Sequence, residues 1–121
     1  MWTVRRFDRI TPLSRDAPVI HVNFREAEAY CRWAGRRLPN EFEWEAAART
    51  EEARRFPWGN SPDNHPADLD ARHLGTAPVD AFPGGATKDG CLQMLGTAWE
   101  WTAEREGIEP TPARFTRRQR F

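Results

Sequence analysis

The chain has 121 residues, with 18 lysines and arginines against 18 acids, so bulk charge implies neither a nucleic-acid coat nor a disordered polyelectrolyte. That length allows one domain with a modest core and leaves no room for a second catalytic module. Six tryptophans against one tyrosine point to a core built on indoles, each needing a partner for its N–H.

The opening Met1-Trp2-Thr3-Val4-Arg5-Arg6 lacks the apolar run of a signal peptide, and no stretch of about 18 apolar residues follows. The expectation is a cytoplasmic protein with neither a membrane nor a nucleic acid as partner. Cys31 and Cys91 lie 60 positions apart, which suits neither a disulfide framework nor a zinc site. They read as reduced structural thiols.

Residues 1–22 read as extended, with a strand near Val4 and Phe7 and another at Val19-Ile20-His21-Val22, separated by Pro12 and Pro18. Asn23-Phe24-Arg25-Glu26 then has the form of a capping box, predicting a helix as far as Gly35 with Ala27, Tyr30, Cys31 and Ala34 as its apolar face. The device repeats at Asn40-Glu41-Phe42-Glu43 and predicts a second short helix through Trp44, Ala47 and Ala48.

From Phe56 to Gly90 prolines and glycines punctuate short apolar pairs, which predicts a long ordered loop region. Gly96 marks a turn into a strand carrying Trp99 and Trp101 on one face and Glu100 on the other. The segment from Ile108 to Phe121, with Arg114, Arg117, Arg118 and Arg120 and no acid after Glu109, reads as a frayed tail.

Five blocks carry a resemblance. They are Glu26 to Pro39, Glu43-Trp44-Glu45-Ala46-Ala47, Pro57-Trp58-Gly59, Ala77-Pro78-Val79 and Trp99-Glu100-Trp101-Thr102. In order and spacing they resemble the formylglycine-generating-enzyme (sulfatase-modifying factor) family over residues 17–103. The resemblance implies an α+β, C-type-lectin-like fold, loop-rich and here incomplete: a partial domain over 1–103 followed by a divergent basic tail over 104–121.

Within that family, Arg5-Arg6-Phe7-Asp8-Arg9 leading into Pro18-Val19, and Gly90-Cys91-Leu92-Gln93-Met94-Leu95-Gly96, look most like the C-terminal domain of ergothioneine-type synthases. Those are non-haem iron enzymes that use dioxygen to join a thiol sulfur to the imidazole of trimethylhistidine, a small-molecule substrate. Their iron ligands come largely from an upstream helical domain without counterpart here. Their catalytic side chains follow the Trp-Glu-Trp-Thr block, in a Gly-Gly-Ser-Trp segment and a Gly-Phe-Arg-type strand that this sequence does not contain. The copper-binding cysteine pair of true formylglycine-generating members falls in the same missing region, so neither Cys31 nor Cys91 inherits that role. No catalytic residue carries over. The expectation is a fragment inactive alone, with a non-catalytic lectin-like binding module as the alternative and a sulfatase-modifying oxidase behind both.

The resemblance also implies a calcium site. Its ligands would be Asp68, the Leu69 carbonyl and, less directly, Asp70 in one loop, with Gln93, the carbonyls of Gly96 and Ala98, and Glu100 in the turn before Trp101. Gln93 stands where an asparagine is expected. The competing reading is a solvated acidic loop with Glu100 paired to an arginine.

Other constellations are weaker. An iron triad of His21, His65 and His73 has no supporting spacing. A cage of Trp44, Trp58, Trp99 and Trp101 for a trimethylammonium group competes with plain core packing. Arg36-Arg37 could grip a carboxylate, against a structural pairing with Glu43, Glu45 or Asp80.

Overall fold

The computed structural model describes residues 1–62, 67–69 and 75–103, together with the backbone of 112–113. Two short antiparallel pairs, two α-helices and connecting loops make an α+β architecture.

Strands β1 (Thr3–Arg6) and β2 (Arg9–Pro12) form a hairpin, with Thr3 opposite Pro12 and Arg6 opposite Arg9. Phe7 sits at φ 54 in the turn, the left-handed conformation a two-residue hairpin connection requires. The hairpin places both strands ahead of Pro18. The strand expected at Val19–Val22 is absent, because His21 adopts φ 62 and interrupts the extended run. The Val22 carbonyl instead accepts from the Trp101 indole at 3.0 Å.

Helix α1 (Phe24–Trp33) starts as its sequence dictates. The Asn23 side chain accepts from the Glu26 N–H at 3.0 Å, while the Glu26 carboxylate accepts from the Asn23 N–H at 2.7 Å. Gly35, at φ +66, supplies the left-handed residue just past its end. None of its residues is fully buried: Ala27, Cys31 and Ala34 of the apolar face read from the sequence are half-buried, while Tyr30 is 64% exposed and leans on Trp33, itself 81% exposed, with ring centroids 5.8 Å apart.

Helix α2 (Glu41–Arg49) begins with the same reciprocal cap, Asn40 bonding the Glu43 N–H at 2.9 Å and Glu43 bonding the Asn40 N–H at 2.9 Å. It buries Trp44 and Ala48. These join Phe56, Met94 and Leu95 in the core, with Ala47, Trp58, Ala67, Leu69 and Cys91 packed around them. The four-residue offset from Trp44 to Ala48 is one helical turn and puts both on the same face.

The loop region wraps this core. Phe56 and Gly59 exchange backbone hydrogen bonds of 2.8 and 3.0 Å, folding Pro57 and Trp58 into a tight turn. That turn stacks the Trp58 ring on Phe56, 5.2 Å apart and 5° from parallel. Pro83–Gly85 forms one 3-10 turn.

Strand β3 (Glu100–Trp101) pairs with β4 (Pro112–Ala113), Trp101 opposite Pro112. The tail expected to be frayed therefore contributes a short strand: the backbone of 112–113 continues the sheet that Trp101 begins. The four tail arginines lie outside the described residues. No helix among the described residues is long and apolar enough to cross a membrane.

Candidate functional site

The turn from Cys91 to Trp101 closes over the core. Its backbone is held by the Thr87 N–H donating to the Cys91 carbonyl at 2.9 Å and the Cys91 N–H donating to the Thr87 hydroxyl at 3.1 Å. Met94, Leu95 and Gly96 are buried. Gly96 has φ +94 and lies so close to the Asp68 backbone that a Cβ would come 2.3 Å from the Asp68 carbonyl oxygen, so only glycine fits. The Thr97 N–H donates to that same carbonyl at 3.2 Å. The structure thus brings the Asp68 loop and the Gly96 turn into direct contact, as the proposed ligand set requires. Asp68 is buried and Leu69 half-buried; Asp70 lies outside the described residues.

The side chains of the second turn are otherwise engaged. Gln93, at φ 55, donates its side-chain N–H to the Pro78 carbonyl, and its Oε1 accepts from the Thr97 hydroxyl at 2.6 Å. Glu100 Oε2 accepts from the Trp44 indole Nε1 at 2.6 Å. Burial pushes the Glu100 carboxyl above the usual carboxylate range, and the indole hydrogen bond acts in the opposite sense. The residue as a whole counts as exposed, so only its carboxyl end is withdrawn. The short indole contact shows where that end points. Its partner among the described residues is an aromatic N–H rather than an arginine, which sequence spacing did not suggest across 56 positions. A calcium cage needs carboxylate and amide oxygens free and convergent. Here Gln93 Oε1 accepts from Thr97 and Glu100 Oε2 from Trp44, one hydrogen bond each, and the Asp68 carboxylate and the Leu69, Gly96 and Ala98 carbonyls complete the expected ligand set.

Among the described residues no group of three His, Cys, Asp or Glu side chains comes together to hold a metal. His21 is exposed, while His65 and His73 lie outside the described residues. The tryptophans are divided: Trp44 and Trp58 belong to the core cluster, Trp58 stacking on Phe56, whereas Trp101 meets Phe24 edge-on with centroids 6.0 Å apart and Trp99 is exposed. Cys31 and Cys91 are free thiols, both half-buried.

A groove of about 920 Å3 runs between α1 and Trp101 and is lined by Arg25, Arg32, Arg36 and Arg37 beside Phe24 and Trp101. Two of these cations are engaged locally. Arg32 meets Glu28 at 2.6 Å, and Arg37 binds Glu43 through two bonds of 2.6 and 2.7 Å. The Arg37 fork and the Asn40 N–H hold the Glu43 carboxyl down at about 2. The structural pairing with Glu43 is the one observed.

A family model described as sulfatase-modifying factor enzyme 1-like domain matches residues 3–115. The chain is 48% identical over 105 residues to a hercynine oxygenase of Mycobacterium tuberculosis (strain ATCC 25618 / H37Rv), covering 83% of this chain and 25% of that protein. It is 42% identical over 104 residues to a formylglycine-generating enzyme of Bos taurus, 74% of this chain and 27% of that protein. It is 41% identical over 101 residues to an inactive C-alpha-formylglycine-generating enzyme 2 of Mus musculus, 73% of this chain and 32% of that protein. It spans about a quarter of the length of the hercynine oxygenases it matches. The capped helices, the Pro57-Trp58-Gly59 turn, the Gly96 contact and the 3–115 match converge: the chain belongs to the sulfatase-modifying factor enzyme 1-like domain family.

Proposed function

We propose that this chain is the scaffold portion of an ergothioneine-type synthase, whose complete protein joins a thiol sulfur to the imidazole of trimethylhistidine with iron and dioxygen. The observation that carries this is the 48% identity to a hercynine oxygenase, against 42% for a formylglycine-generating enzyme. The run Gly90 to Gly96, which bears the synthase resemblance, starts at an exposed Gly90, passes through half-buried Cys91, Leu92 and Gln93, and ends in buried Met94, Leu95 and Gly96, with Met94 and Leu95 in the core.

In this reading the fold is C-type-lectin-like, residues 1–103 are its retained part, and the iron belongs to an upstream helical domain. The role of this chain is to hold shape. Trp44 and Phe56 lie in the core, the Gln93 side chain ties its turn to Pro78, and Gly96 lets that turn pack against the Asp68 backbone.

A non-catalytic binding module is the second reading, favoured by the 41% identity to a protein named as inactive within the family. Two assays on the complete protein containing this chain separate the possibilities. Sulfoxide formed from trimethylhistidine and a thiol donor with iron and dioxygen supports the synthase. Formylglycine formed on a sulfatase peptide with copper supports the oxidase. Neither product, from protein that is folded and iron-loaded, supports the binding module.

A further inference from the structure

Of the four arginines along the groove between α1 and Trp101, two are answered by carboxylates of the chain itself and two are not. We infer that this groove is a binding site for a small carboxylate-bearing molecule with a flat apolar body, its acid groups taken by Arg25 and Arg36 and its body laid against Phe24 and Trp101. This inference does not depend on the reaction assigned to the complete protein.

Charge is the first observation. Arg32 is paired with Glu28 and Arg37 with Glu43, whereas the guanidinium groups of Arg25 and Arg36 have no carboxylate partner among the described residues. Glu28, already taken by Arg32, is the only acid on the groove wall among the described residues. Two uncompensated cations on a concave surface favour an anion there, because a cleft focuses the field of the charges that line it.

The second observation is the kind of anion this wall already holds. Arg37 takes both oxygens of Glu43 in a fork, and the planar guanidinium matches a planar carboxylate in that way. The backbone donors that would favour a phosphate are occupied at this end of α1: the Glu26 N–H donates to the Asn23 side chain and the Asn23 N–H to the Glu26 carboxylate.

The third is the apolar floor. The Trp101 indole donates to the Val22 carbonyl at 3.0 Å and its ring meets Phe24 edge-on at 6.0 Å, so its orientation is fixed from two sides. Both rings are only half-buried, as are Cys31 and Leu38 beside them. The groove's volume of about 920 Å3 falls in the range of small-molecule sites, roughly 300–1,000 Å3. An acid with an apolar body uses the cations and the floor together, whereas a bare inorganic anion uses the cations alone.

The test is an NMR titration of the full chain that follows the Trp101 indole N–H and the arginine Nε–H signals. Phthalate, benzoate, phenyl phosphate and benzyltrimethylammonium are the probes. Phthalate is expected to give a saturable shift of the Trp101 signal in the millimolar range, binding more tightly than benzoate or phenyl phosphate, and the cation none. Arg25→Gln and Arg36→Gln are each expected to weaken phthalate about two- to five-fold, the scale of an exposed ion pair. Thermal melting of both variants checks that the fold is kept. Arg9→Gln, on the hairpin and outside the groove lining, is expected to leave phthalate binding unchanged. The inference is overturned if phthalate gives the native chain no saturable Trp101 shift, if the cation binds as tightly, or if neither groove substitution alters the phthalate affinity. Tighter binding of phenyl phosphate than of phthalate would overturn the assignment of the anion as a carboxylate.

Discussion

The two helices are near copies at their N-termini and opposites everywhere else. Both open with Asn at the cap and Glu three residues on, and in both the reciprocal pair of hydrogen bonds forms. Yet α2 buries Trp44 and Ala48 in the core, whereas α1 buries no residue fully and carries Tyr30 and Trp33 on its surface. Capping is a local exchange of donors and acceptors within four residues, so it is written in the sequence. Burial depends on what arrives from elsewhere in the chain, and only α2 meets Phe56, Met94 and Leu95.

The largest effects should follow that difference. Trp44→Ala removes the largest core side chain and the hydrogen-bond partner of Glu100 together, and is expected to cost roughly 3–5 kcal/mol. Tyr30→Ala on α1 is expected to change stability by no more than about 0.5 kcal/mol. Denaturant melts of the two variants check both; similar losses would mean that α1 is covered in solution by something other than the described residues.

The caps should separate the helices next. Asn40→Ala and Asn23→Ala remove the same bonds, each worth about 0.5–2 kcal/mol. The Asn40 variant is expected to lower global Tm, because α2 unfolds with the core, while the Asn23 variant shows mainly as faster amide exchange in α1.

The C-terminal ends differ too. Helix α1 is followed by Gly35 at φ +66, where glycine is at ease, but α2 ends at Thr50 with φ 59 and ψ 178, a conformation that a β-branched residue adopts only under strain. Thr50→Gly is expected to stabilise by about 1 kcal/mol, and Gly35→Ala to destabilise by a similar amount, on the order of 1 kcal/mol.

Acid titration should show the smallest effect. Glu43 is held at about 2 by the Arg37 fork and the Asn40 N–H, below its ordinary value of 4.5. A carboxyl lowered in the folded state contributes stability above 4.5, and that contribution is lost as pH falls toward 2. Glu43→Gln is therefore expected to melt below the native chain at pH 7, with the gap closing as pH falls through that window. The pair lies at the surface, so added salt should shrink the gap. Glu100 runs the other way: its raised carboxyl favours folding when protonated, and that contribution is lost as pH rises through its folded value. Glu100→Gln, which can still accept from the Trp44 indole, should flatten that part of the profile.

What could be read in advance divides along the same line. Both capping boxes, the Gly35 stop and the Gly96 turn follow from residues within a few positions of each other. The hairpin return at Arg9–Pro12 was obscured by Pro12, which tolerates a strand end; the Phe7-Asp8 pair between two short extended runs was the available signal. The Trp44–Glu100 and Gln93–Pro78 bonds join residues 56 and 15 positions apart, and no local pattern announces either. The close approach of Asp68 to Gly96, and the bonds from Thr97 to Gln93 Oε1 and from Trp44 to Glu100 Oε2, depend on the fold bringing separate loops together.

The most direct measurement is an assay of the isolated, folded 121-residue chain with iron, dioxygen, trimethylhistidine and a thiol donor. The expected result is no sulfoxide product above the protein-free background, because in the proposed reading the iron is held by an upstream helical domain. Sulfoxide formed by the isolated chain would contradict the assignment of this chain to scaffold alone.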